Sequence, residues 1–130
     1  MRSWRRGLAA VLLAAVAAPV GAQGGGVPPM MRGGSKPSPQ TVALGKKADH
    51  LLALYKKKPN AKLKLQAAQA EYEYGHARMY DNALSPREKY RPALFAFREA
   101  LKLNPNLKPA RDEKDQIERV YKGMGMPIPQ

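Results

Sequence analysis

Apolar residues recur at helical spacing from residue 41 onward. Leu44, Ala48, Leu51 and Tyr55 are three or four residues apart, so they form one face of an α-helix. Pro59 ends this pattern, because proline has no backbone N–H to continue the helix. The spacing predicts a first helix between residues 41 and 58.

A second helix is predicted from about residue 61, with Asn60 as its cap. Its apolar stripe shows the same spacing, and it can end near Gly75 or continue to about Tyr80. The turn residues Asp81 and Asn82 mark the break that follows. The stripe consists of Leu65, Ala68, Tyr72 and Gly75.

A capping box of Ser85 and Glu88, with proline at position 86, predicts the start of a third helix. Pro92 leaves two alternatives, because proline removes a backbone hydrogen bond: residues 86–90 form a separate turn, or the helix bends at Pro92. The apolar face beyond it, which ends at Asn104 and Pro105, consists of Ala93, Phe97, Ala100 and Leu101.

A fourth helix is predicted from about residue 109 to residue 122. Acidic residues lie near its start and basic residues near its end, as the helix dipole favours. Ile117, Val120 and Tyr121 form its apolar side. No segment alternates apolar and polar residues well enough to predict a strand, so we expect an all-α fold of about four helices.

Residues 1–22 have the three parts of a secretory signal peptide. Arg2, Arg5 and Arg6 are followed by a 14-residue uncharged run and by small residues at Val20 and Ala22. The alternative, an uncleaved membrane anchor, needs roughly 20 apolar residues. The pattern predicts export, with a periplasmic, cell-envelope or extracellular location after cleavage near Ala22.

Residues 23–40 are rich in Gly, Pro and Ser and contain few large apolar side chains. Such a segment cannot bury enough surface to offset the entropy lost on ordering, so we expect a flexible tether. The predicted organisation is therefore a signal peptide at 1–22, a tether at 23–40, a helical domain at 41–126 and a tail at 127–130.

Composition limits the chemistry that this chain can carry. The 130 residues contain no Cys and two His, and no phosphate loop, catalytic grouping or metal-ligand spacing is present. We therefore expect a protein that is not an enzyme, with no catalytic or metal-binding residues and no cofactor. His50 and His76 are interpreted as surface or boundary residues.

The chain carries 23 basic and 10 acidic residues, a net charge of +13. Loss of residues 1–22 removes three arginines and no acid, which leaves +10. Such an excess favours anionic partners, although a purely solubilising surface is the alternative. Export makes nucleic acid an unlikely partner.

Residues 44–125 resemble the tetratricopeptide repeat (TPR) family, with one full repeat at 62–105. The residues that carry this resemblance to the second helix of a repeat are Ala93, Phe97, Ala100, Leu101, Leu103 and Pro105. Upstream, Leu65, Ala68 and Tyr72 are similar to the first-helix pattern. The resemblance implies antiparallel helix hairpins in which small residues face large ones.

The chain also departs from the family pattern. Tyr72 and Ala93 are 21 residues apart, so about a dozen extra residues, near 79–89, are expected in the inter-helix loop. One full repeat is fewer than a self-sufficient stack needs, so the flanking helices act as caps or the protein self-associates.

The signal-peptide pattern and the resemblance together imply an exported, non-catalytic module of the cell envelope that binds a protein or peptide partner. Its groove residues, carried over by position, are Gln66, Ala70, Glu73 and Tyr74, and more weakly Arg119 and Lys122. The alternative function is electrostatic binding of anionic envelope polymers or lipid surfaces. The residues that matter for this alternative are Lys46, Lys47, Lys56, Lys57, Lys58, Lys62 and Lys64.

Cleavage of the signal peptide is directly testable. The chain recovered from the envelope or the medium should begin at Gln23, because Val20 and Ala22 satisfy the small-residue requirement of the cleavage site. N-terminal sequencing and intact-mass measurement check this. A chain that retains residues 1–22 would contradict it.

Overall fold

The computed structural model describes residues 36–130, which form four α-helices. The helices are α1 (Pro39–Lys57), α2 (Ala61–Met79), α3 (Pro86–Leu103) and α4 (Lys108–Gly123). No strand occurs in this range, so the predicted all-α fold of about four helices is confirmed. The proposed signal peptide, and the proposed tether up to residue 35, lie outside the described residues.

Short turns make consecutive helices antiparallel. α2 packs against both α1 and α3, and α4 packs mainly against α3. Leu103, at the end of α3, packs with Ala67 and Ala68 near the start of α2 and with Tyr55 near the end of α1. The turns at residues 58–60 and 104–107 therefore lie at the same end of the bundle.

The closest helix contact lies between α2 and α3. A Cβ atom added at Gly75 would lie 2.8 Å from Cε1 of Phe97 and 3.2 Å from Cβ of Ala96. Phe97 is fully buried, and the Tyr72 ring packs beside it with a centroid separation of 6.0 Å. The main core cluster comprises Met79, Ala93, Leu94, Phe97, Ala100, Ala110, Ile117 and Tyr121.

Helix α1 begins at Pro39, two residues before the predicted start of the helical domain. Ser38 caps the helix, and its backbone N–H donates to Oδ2 of Asp81 at 2.8 Å. The Thr41 hydroxyl donates to the same oxygen at 2.8 Å, and the Ala83 N–H donates to Oδ1 at 3.0 Å. Burial alone would raise the pKa of Asp81, but these hydrogen bonds outweigh it and lower the pKa to about 2.

Helix α3 runs without interruption through Pro92, so residues 86–90 are not a separate turn. Pro92 cannot donate to the carbonyl of Glu88 four residues earlier. The Nε atom of Arg78, on α2, donates to that carbonyl at 3.1 Å, and its Nη1 donates to the Tyr74 hydroxyl. A side chain from the neighbouring helix thus compensates for the missing backbone donor.

Three further details differ from expectation. Leu65 was expected in the core but is 55% exposed, because α4 contacts α2 around Tyr72 and His76 and leaves the first turns of α2 uncovered.

The connection between α2 and α3 has six residues, 80–85, so most of the extra residues lengthen the helices. In the segment 127–130, Ile128 packs against the core, and Arg98 donates to the carbonyl of Pro129 at 2.7 Å.

The contact between Gly75 and Phe97 predicts a steric effect on stability. Gly75→Ala should lower the free energy of unfolding by about 1–3 kcal/mol, because overpacking outweighs the better helix propensity of alanine. Gly123→Ala is the control: no heavy atom lies within 4 Å of the added Cβ, so its effect should stay within about 0.5 kcal/mol. Urea unfolding measures both, and equal stability of the two variants would contradict the packing.

Candidate functional site

An open groove lies between the first turns of α1 and the last turns of α2. Its volume is about 460 Å³, and its side chains come from both helices and from the start of the α2–α3 connection. Asp81 lines the groove and accepts hydrogen bonds from the Ser38 N–H and the Thr41 hydroxyl. The lining residues of the groove are Ser38, Gln40, Thr41, Leu44, Tyr72, Glu73, His76, Ala77, Tyr80, Asp81 and Asn82.

Three aromatic rings follow one another along α2 on the side of the groove. Tyr72, His76 and Tyr80 are spaced by four residues, so their side chains lie one above the other. Ring centroids are 5.8 Å apart between Tyr72 and His76, and 4.8 Å apart between His76 and Tyr80. The rings are tilted against one another by 44° and 51°. Because Tyr80 is 53% exposed, this aromatic ladder (Tyr72, His76, Tyr80) leaves aromatic surface open to a partner.

Glu113 of α4 flanks the aromatic ladder. Its carboxylate oxygens lie 2.8 and 3.0 Å from Nδ1 of His76, and the Tyr72 hydroxyl donates to Oε1 at 3.3 Å. Burial, and then the charge of Glu113, raise the pKa of Tyr72, so its hydroxyl remains a donor. These bonds orient two of the three rings from a different helix.

Glu73 lies on the other side of the ladder. Its carboxylate accepts hydrogen bonds from Nζ of Lys47 at 3.2 Å and from Nε2 of Gln69 at 3.4 Å. The Lys47 pair is exposed, and such pairs contribute little to stability. Glu73 therefore remains accessible to a partner that replaces Lys47.

The predicted groove residues on α2 separate into three environments. Gln66 is exposed and Glu73 half-buried, and Glu73 lines the groove. The prediction that Ala70 contacts a partner is corrected. Ala70 is only 2% exposed, on the side of α2 that α1 covers, so a partner cannot touch it. Tyr74 lies apart from this groove: its ring packs against Gly45 of α1 and lines a smaller hollow on another side of α2.

Arg119 and Lys122 do not join the groove. Both are exposed on α4, and Arg119 is two residues from buried Ile117 and buried Tyr121. Two residues correspond to about 200° around a helix, so Arg119 faces away from the core. Neither residue therefore lines the groove that contains Glu73.

The sequence interpretation missed His76, which lines the groove, and Glu113, which contacts His76 from α4. The four-residue spacing of Tyr72, His76 and Tyr80 is a signal that could have identified the ladder. Glu113 could not be found in the same way, because it lies 37 residues from His76 along the chain. Its role depends on how α4 packs beside α2.

The groove offers rings, hydrogen-bond acceptors and donors for binding. Within residues 36–130, no three or more His, Cys, Asp or Glu side chains come together in a way that could hold a metal ion. None of the helices described is both long and apolar enough to cross a bilayer.

Comparison with known proteins found no matching family model, no matching curated protein and no matching solved structure.

A buried carboxylate lies behind the groove, on the side of α2 that packs against its neighbours. Burial is the main cause that raises the pKa of Glu71 from 4.5 to about 7, and the charges of Asp49 and Glu99 add to it. The charge of Lys56 opposes this shift. The folded protein therefore holds a proton that the unfolded chain releases between these two pH values.

This proton makes stability depend on pH. Because the folded state binds more protons, the free energy of unfolding should fall as pH rises from about 4.5 to 7. Glu71→Gln removes the group whose ionisation lowers the free energy of unfolding. The variant should therefore be more stable than the wild type by roughly 1–3 kcal/mol at pH 8, and the difference should be smaller at pH 5. Urea unfolding at pH 5, 6, 7 and 8 measures this. Parallel pH profiles for the two proteins would show that Glu71 ionises normally.

Proposed function

We propose that this protein is an exported, non-catalytic interaction module whose groove on α2 binds a protein or peptide partner. The observation that carries the proposal is the half-open aromatic ladder, held in place by Glu113 and bordered by α1. Rings that are oriented from a second helix and left partly exposed are typical of a binding surface.

The packing of the helices supports a groove on this side of α2. α1 covers one flank of α2, α3 covers the next, and α4 contacts α2 only near Tyr72 and His76. The remaining face carries Gln69, Glu73 and Tyr80, and none of the helices within residues 36–130 covers it. An extended segment of a partner fits between α1 and α4 along this face.

The chemistry of the groove favours a partner segment with donor groups. The carboxylate of Glu73 accepts hydrogen bonds and has an exposed lysine as its present partner. A backbone N–H or a basic side chain of the partner can take that place, while an apolar or cationic group packs on the Tyr80 ring.

The TPR-like character of the hairpins and the export of the chain are parts of this proposal. The alternation of alanines with Tyr72 and Phe97 at the α2–α3 contact supports the first part. The charge pattern of residues 1–22 supports the second part.

Site-specific photocrosslinking in the native envelope tests the function. Tyr80→p-benzoylphenylalanine places a reactive ring in the groove, and Arg119→p-benzoylphenylalanine is the control on the outer side of α4. We expect an adduct of one discrete mass at position 80 and none at position 119. Adding Glu73→Ala should reduce the adduct about tenfold, because one charge-assisted hydrogen bond is lost.

Two outcomes count against the proposal. One is the absence of any discrete adduct at position 80. The other is the same adduct at both positions, which would indicate collision rather than docking. Circular dichroism and thermal unfolding of each variant establish that the bundle is intact before the adducts are compared.

A further inference from the structure

The turn between α1 and α2 carries a concentrated positive charge. Five lysines lie within nine residues, and no acidic residue occurs between Asp49 and Glu71. We name this group the lysine tip, and it consists of Lys56, Lys57, Lys58, Lys62 and Lys64. Antiparallel pairing of α1 with α2 brings all five to one end of the bundle.

The charge of the lysine tip is not neutralised within the part of the chain that the structure describes. Four of the five side chains are exposed and Lys64 is half-buried, and none has a carboxylate within 4.0 Å. By contrast, Lys47, Lys102, Lys108 and Lys114 each pair with an acidic side chain. The positive charge of the protein is therefore unevenly distributed.

Two exposed leucines accompany the lysine tip. Leu54, in the last turns of α1, is 38% exposed, and Leu65, in the second turn of α2, is 55% exposed. Leu54 lies two helical turns after Lys47, so it shares the side of α1 that reaches Glu73. Leu65 lies one turn before Gln69, which contacts Glu73 on the same side. Both leucines therefore face the same side of the basic end.

We propose that the lysine tip docks this protein on the surface of an anionic phospholipid bilayer, with Leu54 and Leu65 entering the interface. Lysines attract anionic head groups without a fixed geometry, which suits five flexible ammonium groups without an arginine fork. Exposed leucines beside a basic cluster gain contact with acyl chains, a gain that a soluble polyanion does not offer. The leucines therefore favour a bilayer over a dissolved polymer.

The lysine tip lies apart from the groove, although Leu65 shares the open face of α2 with Gln69 and Glu73. The groove lies at the end of the bundle that holds Asp81, whereas the lysine tip lies at the opposite end of α2. The two proposals therefore fail independently: loss of crosslinking at Tyr80 says nothing about lipid, and loss of lipid binding says nothing about the groove.

Vesicle cosedimentation of the chain, purified as it accumulates in cells, tests the proposal. The vesicles contain phosphatidylglycerol and phosphatidylcholine, or phosphatidylcholine alone. The tip variant changes all five lysines to glutamine. The control variant removes the same charge from exposed residues elsewhere, namely Lys36, Lys46, Arg87, Arg119 and Lys122. A third variant combines Leu54→Gln with Leu65→Gln.

We expect the tip variant to lose at least about 100-fold in partition onto anionic vesicles at low salt. The control variant should lose less than about tenfold, because charges far from the contact are screened. The leucine variant should lose about tenfold on vesicles and bind soluble heparin as the wild type does.

Several results would overturn the proposal. One is equal loss by the tip and control variants, which would assign the binding to net charge alone. Another is equal binding of the wild type to neutral and anionic vesicles. Unchanged vesicle binding by the leucine variant, together with tip-dependent binding of heparin, would make a soluble polyanion the ligand instead. Thermal unfolding verifies that each variant retains the fold.

Discussion

The structure depends on the close approach of α2 and α3 at Gly75 and Phe97. Only a residue without Cβ allows the Phe97 ring to lie against the α2 backbone, and alanines at 93, 96 and 100 keep the rest of the interface narrow. A small protein has little apolar area to bury, so close packing around one phenylalanine contributes much of the core. The Tyr72 ring packs beside Phe97 and is also part of the aromatic ladder, so the core contact positions one ring of the ladder.

Helical periodicity was sufficient to predict the four helices, because each apolar stripe faces a neighbour. It could not predict how far each stripe is covered: Leu65 fits the stripe but lies beyond the reach of α4. The start of α1 was missed because the Pro-rich sequence before Thr41 is typical of a linker. The contact that orders it comes from Asp81, 43 residues away from Ser38.

The candidate site depends on packing that the sequence does not show. Glu73 lines the groove, whereas Ala70 is buried and Tyr74 packs against Gly45, because α1 docks on that side of α2. Arg78 supplies the donor that Pro92 lacks in α3, a role that depends on how α2 packs against α3. Long-range packing thus decides which polar residues remain available to a partner, and it leaves the groove and the lysine tip at opposite ends of α2.

Nuclear Overhauser spectroscopy of the protein in solution tests the central packing most directly. The account predicts strong cross-peaks between the Hα protons of Gly75 and the ring protons of Phe97, and weaker ones between the rings of Phe97 and Tyr72. A Phe97 ring with cross-peaks to α4 but none to Gly75 would contradict the account, because α2 and α3 would then lack the contact on which the groove depends.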